Sequence, residues 1–408
     1  MIESVVAQSR PYVVSGFAGV AHAFAHLSVL LYATVVLVLE DEWGMGYDEL
    51  LALSIPMMIM FGLGALPAGW LGDRWSEAGM LAIYLVGLGT SLMLCGLAQG
   101  PLTLGATLTL VGLFAAIFHP VGIPWLVHHA PNRGRAFGIN GVFGSAGTAA
   151  AALVAGALAS LISWRAAFVV PGAACVLAGA IFIVAWRRNI FGPRLPEPPS
   201  QPNANAPGER KRVFIVLALT VMCTGMIYQI TSFALPKLFD QRLPHMFGDR
   251  VLGIGGAVTA VYLASAIAQV IGGEMADRFR LRSIYISAQF LQIPFIAAAF
   301  VLIHPALIPA AAMMISLNVA GQPAENALLA RHTPPEWRGR VYGAKFVITL
   351  GASSLGVALV PLVYRLTGSL DALFPVMIAF ALIAALIATR LPTEPRRQRA
   401  RAETVPAE

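Results

Sequence analysis

Long apolar stretches separated by short polar breaks run the length of this chain. A run of about 20 apolar residues crosses a bilayer as a helix, because lipid offers no partners to exposed backbone N–H and C=O groups. The pattern predicts spans near residues 12–38, 48–71, 79–98, 102–128, 136–161 and 165–187. A second set falls near 213–238, 250–275, 283–303, 305–330, 340–366 and 370–390. The breaks carry charge or turn signals, among them "EDEWGMGYDE", "AQGPL", "APNRGR" and "HTPPEWRGR". Between the two sets, Pro- and Asn-rich residues with basic flanks have no apolar face to bury and read as a solvated linker. The predicted fold class is an all-α membrane protein with twelve transmembrane helices. Its parts are an N-terminal six-helix bundle (1–187), a linker (188–212), a C-terminal six-helix bundle (213–390) and a basic tail (391–408).

Composition agrees with this pattern. Of 408 residues, 58% are hydrophobic and 12% charged, against about 25% charged in a typical soluble domain. Too few polar side chains exist to face water on every side. The apolar run after Arg10 is too long for a signal-peptide core and is read as a retained first span. Cys95, Cys175 and Cys223 lie singly in apolar runs and read as small buried hydrophobes.

The net charge of +7 is informative through its placement. With the N-terminus inside, most basic residues gather on the cytoplasmic side: Arg10, Arg74, Arg133, Arg135, the linker cluster, Arg278, Arg280, Arg282, Arg331, Arg338, Arg340 and the tail. The opposite side holds only Arg165, Lys237, Arg242, Arg250 and Arg365. That asymmetry predicts both termini in the cytoplasm. It accounts for the positive charge without nucleic acid as a partner. A cytoplasmic (inner) membrane location and a monomer embedded in the lipid bilayer are expected.

The chain also repeats itself. Gly69-x-x-x-Asp73-Arg74 ends the second span and Gly273-x-x-x-Asp277-Arg278 the eighth, 204 positions later. Arg133-Gly-Arg135 opens the fifth span and Arg338-Gly-Arg340 the eleventh, an offset of 205. Each half starts from the same side, so the repeats are parallel.

With these motifs and the six-linker-six layout, the chain resembles a major facilitator superfamily transporter over nearly its whole length. The N-terminal half is further similar to the fosmidomycin-resistance-like efflux group, through the early His22, the pair Glu42-Trp43, and Phe118-His119-Pro120. Those relatives carry an acid four residues after the first histidine and another directly after His-Pro. His26 and Val121 stand there in this chain. The resemblance implies two six-helix bundles around a central cavity that opens alternately to each side, lined by spans 1, 4, 7 and 10. It also assigns Gly69, Asp73, Arg74, Gly273, Asp277 and Arg278, with Arg133, Arg135, Arg338 and Arg340, to contacts that bias opening at the cytoplasmic side.

Polar groups inside a membrane are costly and therefore become candidates for function. For the solute and proton pathway these are His22, His26, His119, Asn140, Tyr228, Gln229, Asn318 and Gln322. In "AHAFAHLSV", His22 and His26 share one helix face, with His22 roughly 15 Å into the span at 1.5 Å per residue. A metal needs a third and a fourth ligand, no carboxylate accompanies the pair and no His-Glu-x-x-His pattern is present, so no metal is assigned. His119 beside Pro120 joins the set as its third histidine. The pair is read as solute contacts, proton-exchange groups or structurally satisfied side chains. Glu325 and Lys345 are expected to form an ion pair, since either alone is costly in lipid. Gly138, Gly141, Gly144 and Gly147 form a smooth helical ridge for close packing or sliding at the bundle interface.

No nucleophile–base constellation or cofactor loop appears, so an enzyme and a cofactor are not expected. The sequence favours a secondary transporter moving a small organic solute, with proton-coupled efflux ahead of metabolite uptake. A non-transporting membrane sensor or assembly protein is the alternative of a different class.

Overall fold

The computed structural model describes residues 10–195, 207–333, 341, 345, 347–352 and 354–393. The N-terminal half contains α1 (Pro11–Trp43), α2 (Tyr47–Arg74), α3 (Glu77–Gly96), α4 (Pro101–His129), α5 (Arg133–Leu161) and α6 (Ala166–Arg187). The C-terminal half contains α7 (Pro207–Arg242), α8 (Arg250–Arg278), α9 (Leu281–Val301), α10 (Leu307–His332), α11 (Val347–Thr367) and α12 (Leu373–Ala388). Eleven are long and apolar enough to cross a membrane, and α12 is a shorter apolar helix of 16 residues. Among the described residues there is no β-strand.

Local chemistry sets several boundaries. Pro11 and Pro101 open their helices, where the missing N–H costs nothing. The Ser76 hydroxyl accepts the Gly79 N–H, the Asn132 side chain accepts the Arg135 N–H, and the Asp249 carboxylate accepts the Leu252 N–H. Gly44, at φ +62°, stops α1 by entering the left-handed region while its N–H bonds back to Glu40. Two boundaries differ from the sequence reading: α1 continues to Trp43 through the expected acidic break, and α7 begins at Pro207, inside the expected linker. The start of the linker is held against the first bundle. Arg194 and His128 both pair with Glu77, and the Leu195 N–H donates to the His128 carbonyl.

Within the first half, α1 lies along α5, α3 along α6, and α2 along α4. Within the second, α7 packs on α11 and α12, α8 on α10, and α9 on α10 and α12. The halves meet through α5 with α8, α2 with α11, and α1 with α7. Exchanging the two repeats converts the first of these contacts into the second and the third into itself, which is the two-fold relation expected of parallel repeats. Small residues bring the halves close. A Cβ on Gly255 would come within 2.5 Å of the Ala152 carbonyl oxygen, and one on Gly156 within 2.7 Å of that of Val251.

Outward-facing Leu63, Leu177, Ile267, Val270, Leu355 and Leu386 are all exposed. In water such an apolar surface would drive association; in a bilayer it is the lipid-facing belt. The three cysteines are free and buried, as their apolar settings suggested. Below, the end of the molecule bearing the linker is the linker end, and the end bearing the α1–α2 and α7–α8 turns is the hairpin end.

Candidate functional site

The middle of the N-terminal half holds a cluster of three imidazoles. His22 and His26 project from α1 one turn apart, with their Nε2 atoms 3.1 Å from each other. His119 arrives from α4 because the chain reads Phe118-His119-Pro120. Pro120 has no N–H to donate and its ring crowds the preceding turn, so the helix widens into a π-type turn over Phe118–Gly122. The three rings lie with centroids 4.9, 5.3 and 5.5 Å apart, and one ligand nitrogen from each lies within 4.8 Å of the others. His119 is buried, whereas His22 and His26 are partly accessible.

Neighbours hold this arrangement. Phe118 stacks on His22 with the planes 23° apart, and the Tyr84 hydroxyl donates to the Ala21 carbonyl beside it. His22 Nδ1 lies 2.8 Å from the Asn140 carbonyl oxygen. A carbonyl only accepts, so Nδ1 carries the proton and a neutral His22 presents the Nε2 lone pair to the cluster. The 3.1 Å contact then requires the proton of His26 to reside on Nε2. Asn140 itself is buried, and its side-chain nitrogen has no hydrogen-bond partner among the described residues.

The glycine ridge splits in two. A Cβ on Gly144 would come within 2.5 Å of the His22 ring and one on Gly147 within 2.2 Å of the Ala23 carbonyl oxygen, while Gly138 and Gly141 face open space. The ridge therefore seats the histidine helix inside one bundle. The bundle interface uses Gly156 and Gly255 instead, which corrects the placement expected from spacing alone.

The glycines of the repeated motif also have a packing role. A Cβ on Gly69 would come within 3.2 Å of Pro120, and one on Gly72 within 2.9 Å of Val121, so α2 closes on the widened turn that delivers His119. In the second copy Gly272 plays this part, with the Ala320 carbonyl oxygen 2.2 Å from its would-be Cβ, and Gly273 faces Pro323. Asp73, Arg74, Asp277, Arg278 and Arg135 are exposed at the linker end, with Arg133 partly so. Arg74 lies over the Trp70 ring and Arg278 pairs with Glu274 on its own helix. Arg338 and Arg340 lie outside the described residues.

In the C-terminal half the expected pathway residues divide. Tyr228 meets Tyr262 edge-on, and Gln229 is buried beside it on α7. Asn318 is drawn into the interior, where its amide donates to Gln292, which in turn donates to Gln289. Gln322 accepts from Gln269, whose own oxygen accepts from Ser145, a chain that crosses from α10 through α8 to α5 of the other half. Glu325 and Lys345 come together at 2.6 Å. The second oxygen of Glu325 lies 3.0 Å from the Tyr285 hydroxyl, which also contacts Thr220.

An ion-pair network that motif reading overlooked joins the halves at the hairpin end. Lys237 of α7 lies 2.7 and 2.8 Å from the two carboxylate oxygens of Glu40 on α1, and 3.4 Å from Asp240. Arg250 of α8 bridges Asp240 and Asp41. Ser160 of α5 donates to Asp249 at 2.9 Å, and Tyr47 of α2 donates to the Phe233 carbonyl at 3.2 Å while its ring meets Tyr364. In the sequence, Lys237 and Arg250 counted only as charges on the sparse side. A buried charge inside an apolar span was the available signal.

Two repeat-related helical halves of long apolar helices, tied together at one end and enclosing buried polar groups, define a multi-pass membrane protein with a transporter fold. The sequence pattern of the Major Facilitator Superfamily matches residues 18–246 and 217–407, and the chain belongs to that family. It is a transporter, not an enzyme. Puromycin resistance protein pur8 of Streptomyces alboniger is 30% identical over 161 residues, covering 38% of this chain and 32% of that protein. The chain thus matches about a third of that relative's length. The fold is similar to crystal structures of a bacterial homologue of the human lysosomal transporter Spinster. In its inward-facing, occupied form the TM-score is 0.76 at 16% identity, over 95% of this chain and 100% of that one. In its inward-facing, unoccupied form the TM-score is 0.76 at 15% identity, over 95% and 99%.

Proposed function

We propose that this transporter exports a small organic solute from the cytoplasm in exchange for protons, as a monomer in the cytoplasmic membrane with linker and termini inside. The observation that carries alternating access is the latch of Glu40, Lys237, Asp240, Arg250 and Asp41, which ties the halves together at the hairpin end. Charges paired across two moving bodies form a contact that can be made in one state and released into water in the other. Asn140, Tyr228 and Gln229 supply polar groups along α5 and α7 for solute. The likeness to a resistance protein over part of the chain supports export of an organic, drug-like molecule.

Glu325 is the seat of proton exchange in this reading. Its carboxylate is buried, paired with Lys345 and contacted by Tyr285. A proton on Glu325 removes its attraction for Lys345, so protonation and helix rearrangement are linked. The test uses proteoliposomes with a trapped pH dye and puromycin as the first solute of an amphiphilic antibiotic panel. Solute addition should move protons in the wild type, and Glu325→Gln should abolish proton movement while counterflow of solute continues. Solute-independent proton traces across the panel, or unaltered coupling in the variant, would overturn the proposal.

A further inference from the structure

The geometry points to a binding site for a borderline divalent transition cation, such as zinc, at His22, His26 and His119. This inference is independent of the proton exchange placed at Glu325. The sequence supplies two ligands from α1, and the widened turn of α4 adds the third, bringing the three donor nitrogens within 4.8 Å of each other. Zinc–imidazole bonds of about 2.0–2.1 Å place tetrahedral ligand nitrogens roughly 3.4 Å apart. His22 and His26 already meet near that spacing, with Nε2 atoms at 3.1 Å. His119, whose ligand nitrogen lies within 4.8 Å of theirs, closes to roughly 3.4 Å on binding.

The surroundings match what a metal site requires beyond its ligands. A ligating imidazole is oriented by a hydrogen bond from its other nitrogen, often to a backbone carbonyl. His22 has that bond, from Nδ1 to Asn140 at 2.8 Å, which directs the Nε2 lone pair into the cluster. Phe118 stacks on the ring, and the bare backbone of Gly144 lies against it. Binding requires His26 to move its proton from Nε2 to Nδ1, a change of tautomer with no change of charge. Among the described residues no carboxylate or thiol joins the cluster. Three neutral nitrogen donors favour zinc, copper, nickel or cobalt and disfavour magnesium and calcium, which take oxygen ligands. Three protein ligands leave a fourth coordination position, which water or an anionic group can occupy.

The test uses the purified, chelator-stripped full chain. Competition against a chromogenic chelator should give one tight zinc per chain, and cobalt should give the intense visible bands of a tetrahedral nitrogen site. Magnesium and calcium in excess should not displace either. His26→Gln and His119→Gln should each weaken zinc at least about tenfold, whereas Glu325→Gln should leave it unchanged. X-ray absorption at the zinc edge of the wild type, which depends on no variant, should count three imidazole nitrogens. Absent binding, unchanged affinity in both histidine variants, or a zinc shell with fewer than three imidazoles would each sink the proposal. Loss of proton coupling in Glu325→Gln with zinc retained separates the two sites.

Discussion

Replacing Lys237 by Met tests the hairpin-end latch most directly. Lys237 is 7% exposed and holds both oxygens of Glu40 within 2.8 Å. In Lys237→Met, Asp240 keeps Arg250, so the loss falls on Glu40. Removing one partner of a buried pair costs about 3–5 kcal/mol. The Glu40 side chain retains 17% exposure, so some water reaches it and about 2–3 kcal/mol is the appropriate range. That cost exists only while the hairpin end is shut, because an open end hydrates Glu40. At about 1.4 kcal/mol per factor of ten, the shut-to-open ratio should fall roughly 30- to 150-fold. Spin labels at Leu161 of α5 and Leu366 of α11, both 75% exposed near the hairpin end, report the separation of the halves by pulsed dipolar spectroscopy. The variant should shift the distribution to longer distances, and Glu40→Gln added to Lys237→Met should restore most of the short component. A single variant indistinguishable from wild type, or a double variant as shifted as the single, would refute the latch.

Gly147→Ala should lower the melting temperature, losing about 1–3 kcal/mol by overpacking, because its Cβ would fall 2.2 Å from the Ala23 carbonyl oxygen. Gly141→Ala, with nothing within 4 Å, should leave the melt unchanged or raise it slightly. Tyr285→Phe removes the hydroxyl beside Glu325 and should cost about 1–3 kcal/mol, read as a lower melting temperature with Lys345 still in place. The Leu252 N–H and then the Ser160 hydroxyl hold the Asp249 carboxyl below its ordinary range. Its stabilisation is therefore complete above the unfolded value of about 4 and fades as pH falls through the lowered folded value. Asp249→Ala should lose about 1 kcal/mol of helix capping at neutral pH, and thermal melts should show the gap from wild type closing as pH falls through that lowered value.

Much of the architecture can be read along the chain because a bilayer makes strong local demands. Any segment that spans it must be long, apolar and helical, so the helices appear in hydropathy alone. The repeat appears in the echo of Gly69–Arg74 at Gly273–Arg278. The meeting of Glu325 with Lys345 at 2.6 Å follows from the cost of leaving either charge alone in lipid. Other features depend on which helix faces are opposed, and one-dimensional spacing does not encode that. Gly138 and Gly144 look equivalent in the sequence, yet only Gly144 meets a neighbour. Asn318 and Gln322 look like cavity polar groups, but other amides engage them.

By itself, then, the sequence determined the number of apolar helices and their order, because solvation by lipid acts on each segment separately. Only the tertiary structure decided that Pro120 would widen α4 and swing His119 onto His22 and His26. Only it paired Lys237 with Glu40 across 197 residues of chain. Those contacts arise from the rotation and docking of separate helices, where packing chooses among faces that the hydropathy pattern leaves equivalent.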